Sequence, residues 1–334
     1  MTIRLLKFPS LALSCIFGFL DDISLFFLCQ CSANTRAYVR LHDRNRYNGL
    51  KVSIGFQDEM TVNIGELVFL FLIEEQDLEN VWRGETQQFG SRVVPIKRFD
   101  YAIHTIWPPG EAFLGLKTIA KHYMQMFNLN CLHHVDYVTE ERQLIAVLEL
   151  LEEVDITVGS IEFLSLDYER TNDALGNLVI SDRLLQRVAG KFSSRIPVSS
   201  DFQPTLLSNN RIFHMDTFEC SWAHWFNERH LATFNSNNLA LNGCTLTSEN
   251  INQHLLSWVA NTENQETRTV SLRFGDNSTL DMSKILENLA DPEKIDYTAP
   301  EEQKIEINTR VTTSITITIK DNNTHFHAVL QNQQ

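Results

Sequence analysis

Apolar residues fill the first thirty positions of the chain almost without a break, and two adjacent acids divide them. The run Phe8 to Leu20 gives way to Asp21-Asp22, and Ile23 to Cys31 follows. A helix that is apolar all round must be covered on all sides, and so short a stretch cannot cover itself. The pattern predicts two short helices and a surface for them to pack on. Pro9 suits a first turn, where its missing N–H is not needed. Gly18 and the Asp pair end the first helix, and Asp22 can cap the second at Ile23. Ser32 can cap a third helix, Ala33 to Leu41, with Arg36, Arg40 and Arg44 on its wet face.

The same stretch imitates a targeting segment, with Arg4 and Lys7 ahead of an apolar run. Asp21 and Asp22 argue against lipid. One Asp at the centre of a membrane helix costs roughly 2.5–3.5 kcal/mol, and the pair leaves two pieces, each short of the ~20 residues that span a bilayer. The expectation is no membrane partner and an intracellular location.

After Leu41 the period changes. Lys51 to Phe56 and Met60 to Ile64 alternate apolar and polar residues about a turn, the pattern of a β-hairpin. Leu67 to Ile73 is wholly apolar and reads as strand or short helix, which periodicity alone does not separate. Residues 79–92 are polar and read as a loop, and Pro108-Pro109-Gly110 is a firm break. Leu116, Ile119, Ala120, Tyr123, Met124 and Phe127 then fall at helical spacing. Leu132 to Val138 reads as strand, and Glu140-Glu141 open a helix at its positive end. A strand at Ile161 to Leu166, a helix at Ile180 to Val188, a strand at Leu239 to Leu241, a helix capped by Thr247 or Ser248 and running to Val259, and a strand at Thr269 to Phe274 follow. Such alternation predicts parallel strands with helices outside. The tail has period two in Lys304 to Ile307, Val311 to Ile319 and His325 to Leu330, with a turn at Asp321-Asn322-Asn323. It predicts antiparallel strands that close one end of the sheet.

Composition narrows the function. The 334 residues are 43% hydrophobic, enough for a full core, and the net charge is −14. Residues 1–50 carry a net +3 and the remainder −17. An acidic body argues against nucleic acid as partner, since that contact relies on Lys and Arg at phosphates. The six cysteines, at 15, 29, 31, 131, 220 and 244, form no C-x-x-C pair and fit a reducing compartment. Phosphate-binding, dinucleotide-binding and nucleophile-elbow motifs are absent from the sequence. Cys131 with His133 and His134, Cys220 with His224 and His230, and His325 with His327 lack the spacing of a zinc site. The reading is a chain with no catalytic residues, no metal and no cofactor. Trp222, Trp225 and Trp258 are candidates for a binding anchor, with core packing the commoner fate.

Two groups of residues carry a family resemblance. Phe8-Pro9, Ile16, Leu20-Asp21, Leu25, Leu28, Cys31-Ser32 and Arg36 stand in the order of an F-box without insertion, with Phe8 where that motif has Leu. Leu231 to Val259, with its Leu246-Thr247-Ser248 turn and Asn252-Gln253-His254-Leu255-Leu256-Ser257-Trp258 helix, resembles the F-box-associated type 2 domain of nematode F-box proteins. Val93 to Ile96, Gly115 to Ile119 and Met126 to Asn128 are similar to those proteins too.

The resemblance implies an F-box at 4–46, a β-rich connecting region at 47–115 and an F-box-associated domain at 116–330, with its family-like core at 195–275. The fold expected is α/β: a small N-terminal helical F-box, then a leucine-rich-repeat-like α/β domain with a C-terminal antiparallel β cap. The function implied is substrate recognition in an SCF-type cullin–RING ubiquitin ligase. Phe8, Pro9, Leu13, Ile16, Leu20, Leu25 and Leu28 would meet a Skp-type adaptor, and through it a cullin. The C-terminal domain would hold a target protein whose identity and binding face the sequence does not give. The alternative is a non-ligase interaction scaffold whose N-terminal helices pack on the chain's own domain.

Overall fold

The computed structural model describes residues 9–20, 22–42, 51–56, 60–73, 85–99, 102–108, 110–165, 167–205, 207, 212–260, 268–274, 280–289, 302–308, 313–320 and 325–332. Phe8, Asp21, Arg44 and the expected turn at 321–323 lie outside them. The fold is mixed α/β, and its contacts divide the chain into two compact units. The first holds residues 1–138 and 145–157, the second 139–144 and 158–334.

The first unit opens with three helices, α1 (Ser10–Phe19), α2 (Asp22–Cys31) and α3 (Ala33–His42). Pro9 stands at the α1 N-cap, with its carbonyl accepting from the Leu13 N–H at 3.0 Å. The Ser32 hydroxyl accepts from the Thr35 N–H at 3.0 Å, so it caps α3 as the sequence predicts. α2 begins at Asp22, one residue ahead of the expected start.

Seven strands follow: β1 (Val52–Gly55), β2 (Thr61–Ile64), β3 (Leu67–Ile73), β4 (Glu85–Phe89), β5 (Arg92–Arg98), β6 (Ala102–Trp107) and β7 (Cys131–Val138). They run in the order β7-β1-β2-β3-β6-β5-β4. β1–β2 is the expected hairpin, pairing Val52 with Ile64. Leu67 to Ile73 resolves to a strand because both its neighbours are strands: it pairs antiparallel with β2 and parallel with β6. Residues 85–89 form a strand inside the stretch read as a loop. Gly90, at φ 60°, turns the chain so that Phe89 pairs with Arg92, and Phe89 is buried.

Helix α4 (Ala112–Phe127) lays Leu116, Ile119, Tyr123 and Phe127 inward. Asn128 ends it in the left-handed region at φ 52°, a conformation Asn tolerates. Tyr123 sits 5.3 Å from the Phe69 ring and 6.2 Å from Phe89. Most of α5 (Glu141–Val154) belongs to this unit too. Lys121 reaches Glu153 at 3.0 Å, and Lys117 pairs with Glu149. Contacts do not divide the chain at the expected boundary of 116: α4 and β7 group with the first unit, where β7 pairs in parallel with β1 and α4 packs on β2 and β3.

The second unit is built on parallel strands in chain order: β8 (Thr157–Phe163), β9 (Val188–Ser194), β10 (Phe213–Cys220), β11 (Phe234–Cys244) and β12 (Arg268–Phe274). Helices α6 (Asp173–Val179), α7 (Asp182–Leu185), α8 (Glu228–Thr233) and α9 (Ser248–Ala260) lie between strands in sequence, and α10 (Met282–Ile285) follows β12. Antiparallel strands β13 (Glu302–Asn308), β14 (Thr313–Lys320) and β15 (His325–Asn332) complete the sheet, β15 lying beside β12.

The helix expected over 180–188 is broken. Ile180 closes α6, Ser181 is extended ahead of α7, and Val188 already begins β9. One face of the parallel sheet is a phenylalanine ladder. Phe192 stacks on Phe218 at 4.9 Å and 5°, and Phe218 lies 4.3 Å from Phe234. These rings, with Leu239, Leu241, Val270, Leu272 and Phe326, are buried.

Candidate functional site

The N-terminal helices divide into a covered side and an open side. Leu13 and Phe17, one turn apart on α1, are buried, as are Leu25 and Cys29 on α2 and Val39 on α3. The hairpin is fastened to the body of the first unit by α2 and α3. Gln30 donates to the Tyr123 hydroxyl at 3.0 Å and accepts from the Gln87 amide at 2.6 Å. Arg36 donates to the Met126 carbonyl at 3.4 Å. The Arg98 guanidinium lies 4.0 Å over the Phe27 ring.

The opposite side of α1 meets solvent. Leu11 is 78% exposed and Phe19 91%, with exposed Cys15 between them. Steps of four residues put these three on one stripe. Leu41 on α3 is 71% exposed as well.

The residues expected at an adaptor do not all lie on this side. Pro9 is exposed, and Ile16, Leu20 and Leu28 are half-buried. Leu13 and Leu25 are covered by the chain itself, 1% and 5% exposed. Phe8 lies outside the described residues. Leu11 and Phe19 were missed because F-box spacing selects other positions. The available signal was their mutual i, i+4, i+8 spacing with Cys15, two residues out of step with Leu13 and Phe17.

The metal-candidate residues have other duties. Cys220 is buried and its thiol is pushed up to about 12 by that burial. The His224 ring meets the Ser199 carbonyl, and His230 Nδ1 accepts from the Asn227 N–H at 3.2 Å in the capping box of α8. His134 pairs with Asp136, and His325 Nε2 lies 3.3 Å from the Ser271 hydroxyl. Among the described residues no group of three or more His, Cys, Asp or Glu is placed to hold a metal. Trp225 is buried beside His230, at 5.1 Å between rings, whereas Trp222 is 37% exposed. The side chain of Trp258 is not among those described.

The Thr247 to Asn252 motif pins the chain beyond β12. Thr247 and Asn250 cap α9 reciprocally, the Thr247 N–H donating to Asn250 at 3.0 Å and the Asn250 N–H to Thr247 at 3.3 Å. The Ser248 hydroxyl accepts from the Asp281 N–H at 2.9 Å. The buried Asn252 amide donates to the Ile285 and Glu287 carbonyls, at 2.8 and 2.7 Å. These motif residues hold α10 in place rather than a ligand.

The second unit leaves the other face of its parallel sheet open. Side chains alternate along a strand, so the residues between those of the phenylalanine ladder point away from the core. Register places Glu162, Ser193, Glu219, Ala240, Ser271 and His327 in one row across the strands. The next row holds Asn242, Arg273 and His325, with Arg195 and Ser221 beyond the ends of β9 and β10. A groove of about 420 Å³ runs over these rows. Lys191 pairs with Glu219 at 2.9 Å, and Arg195 approaches Glu162 only at 3.8 Å.

No protein-family model matches this chain, and neither a curated protein nor a solved structure shows significant similarity to it. No helix among the described residues is long and apolar enough to cross a membrane.

Proposed function

We propose that the chain is the substrate-recognition subunit of an SCF-type cullin–RING ubiquitin ligase. It joins a Skp-type adaptor through its N-terminal helices and holds a target protein with its C-terminal unit. The observation that carries this reading is the Leu11–Cys15–Phe19 stripe, left to solvent although the other side of the same helix is fully covered. A contiguous apolar face on an otherwise acidic chain is a protein-docking feature. The F-box resemblance supplies the identity of the docking protein. Half-buried Ile16, Leu20 and Leu28 and exposed Pro9 complete the contact at its margin. Tethering is the mechanism: a target held near the charged conjugating enzyme gains effective concentration. Ubiquitin transfer then belongs to other subunits.

The test is capture of a purified Skp-type adaptor by the full-length chain and by Phe19→Asp. Burying a Phe side chain is worth about 1.5–3 kcal/mol, so Phe19→Asp is expected to weaken capture at least tenfold with the circular dichroism spectrum unchanged. The adaptor should also protect Cys15 from alkylation. Failure of the wild-type chain to capture the adaptor, or capture unaffected by Phe19→Asp, overturns the reading.

The contacts of Gln30, Arg36 and Phe27 with the first unit favour a second reading, an interaction scaffold whose helices serve its own fold. That reading expects no adaptor capture by the wild-type chain and unchanged Cys15 reactivity.

A further inference from the structure

The open sheet face of the second unit is shaped and charged for a ligand. Its floor is low at residues 193, 240 and 271, which are Ser, Ala and Ser on β9, β11 and β12, with Glu219 of β10 in register between the first two. Its margins are tall: Arg195 and Arg273 are both exposed and stand at opposite sides of the groove. Ser221, Asn242 and His325 line the space between and beside them.

The charges are unequally engaged. Glu219 is paired with Lys191 at 2.9 Å. Arg195 is held loosely, with Glu162 at 3.8 Å. Among the described residues no carboxylate pairs with Arg273, whose carbonyl meets the Cys244 thiol. A guanidinium with unused donors presents a fork that matches carboxylate and phosphate oxygens. Adjacent strands lie about 4.8 Å apart, so the β9 and β12 positions are separated by about 14 Å, the span of about four extended residues.

We propose that this groove binds an extended peptide segment of the target protein through two anionic side chains about four residues apart, seated on Arg273 and Arg195. The proposal rests on the receptor reading above and deepens it by giving the chemistry of the target. The hydroxyl and amide groups of Ser221, Asn242 and Ser271 meet the peptide backbone between the two anchors. The body's net −17 beyond residue 50 repels a polyanion such as nucleic acid over its whole length, but not two local charges facing two arginines.

The test is fluorescence anisotropy of labelled nine-residue Ser/Gly peptides with the full-length chain. One peptide carries two phosphoserines four residues apart, one two glutamates and one two glutamines. The phosphoserine peptide, the glutamate peptide or both are expected to bind, more weakly at high salt, and the glutamine peptide about tenfold more weakly or not at all. Binding by the phosphoserine peptide alone supports the proposal and assigns phosphate as the anion; binding by both assigns either anion. Arg273→Gln should lower the affinity about tenfold and Arg273→Lys less, because Lys keeps the charge without the fork. Arg92→Gln, a paired arginine of the first unit, should change nothing. Equal binding of all three peptides, no binding of either anionic one, or full binding by Arg273→Gln overturns the proposal. Phe19→Asp separates this from the adaptor reading. Loss of adaptor capture by the wild-type chain with peptide binding intact counts against the receptor role alone, and the converse counts against the groove alone.

Discussion

Gln30 donates to the Tyr123 hydroxyl at 3.0 Å, and this contact ties an N-terminal helix to the core of the first unit. Tyr123 is wholly buried, and its hydroxyl accepts from that amide. Gln30→Ala is expected to cost roughly 1–3 kcal/mol, the penalty for an unsatisfied buried polar group. Tyr123→Phe in the same background should recover part of the loss. Urea unfolding of the two single variants and the double variant gives the coupling, and additive effects would show that the contact is not made.

Gly115 faces Trp107 with no space for a methyl group. A Cβ at residue 115 would lie 2.4 Å from Trp107 Cε2. The indole cannot swing aside freely, since its N–H donates to the Thr105 hydroxyl at 3.0 Å. Ala is the better helix former by about 1 kcal/mol, yet Gly115→Ala is expected to destabilise by about 1–3 kcal/mol through overpacking. Thermal unfolding of Gly115→Ala and of Gly115→Ala/Trp107→Phe checks this, the second being closer to wild type.

The thiols should react in two classes. Cys15 and Cys31 are exposed, whereas Cys29 is buried and pushed up to about 11 by that burial. Burial likewise pushes Cys244 up to about 12. Only the thiolate alkylates at a useful rate. Iodoacetamide at pH 8 followed by mass spectrometry should modify Cys15 and Cys31 in minutes and leave Cys29, Cys220 and Cys244 intact until denaturant is added.

Stability should fall on mild acidification. Burial pushes the His254 imidazole down to about 4, with Arg268 adding in the same direction. Burial also holds His122 and His230 below the ordinary histidine range. In the unfolded chain these groups take up protons near pH ~6.5. The unfolded state therefore binds more protons than the folded state between about pH 6.5 and 4, and stability present above that window is lost as pH falls through it. The urea midpoint should be flat from pH 8 to 7 and decline below 6.5, and His254→Asn should flatten the decline.

Local patterns were legible wherever one element is amphipathic or capped by its own neighbours. The Ser32 cap of α3, the Thr247 cap of α9 and the β1–β2 hairpin were all readable from a few adjacent residues. β4, β9 and β10 were not. Gln87 and Gln88 in β4, Gly190 and Ser193 in β9, and His214 and Asp216 in β10 are poor strand formers. They are extended because pairing with neighbouring strands satisfies their backbone, which overrides local preference. The binding surfaces were half legible. The apolar content of α1 announced that it needs cover, but its spacing did not say which of its two sides the chain would cover.

The order of residues by itself determined the helix–turn–helix start of this protein, the α/β alternation and the closing antiparallel strands, because each is set by period and caps over a dozen residues or fewer. Only the tertiary structure decided that Leu13 and Leu25 face inward while Leu11 and Phe19 face water, and that Arg195 and Arg273 share one groove. The reason is the range of the forces: hydrogen bonding and periodicity act along the chain, whereas burial and charge pairing depend on which distant segments arrive beside one another.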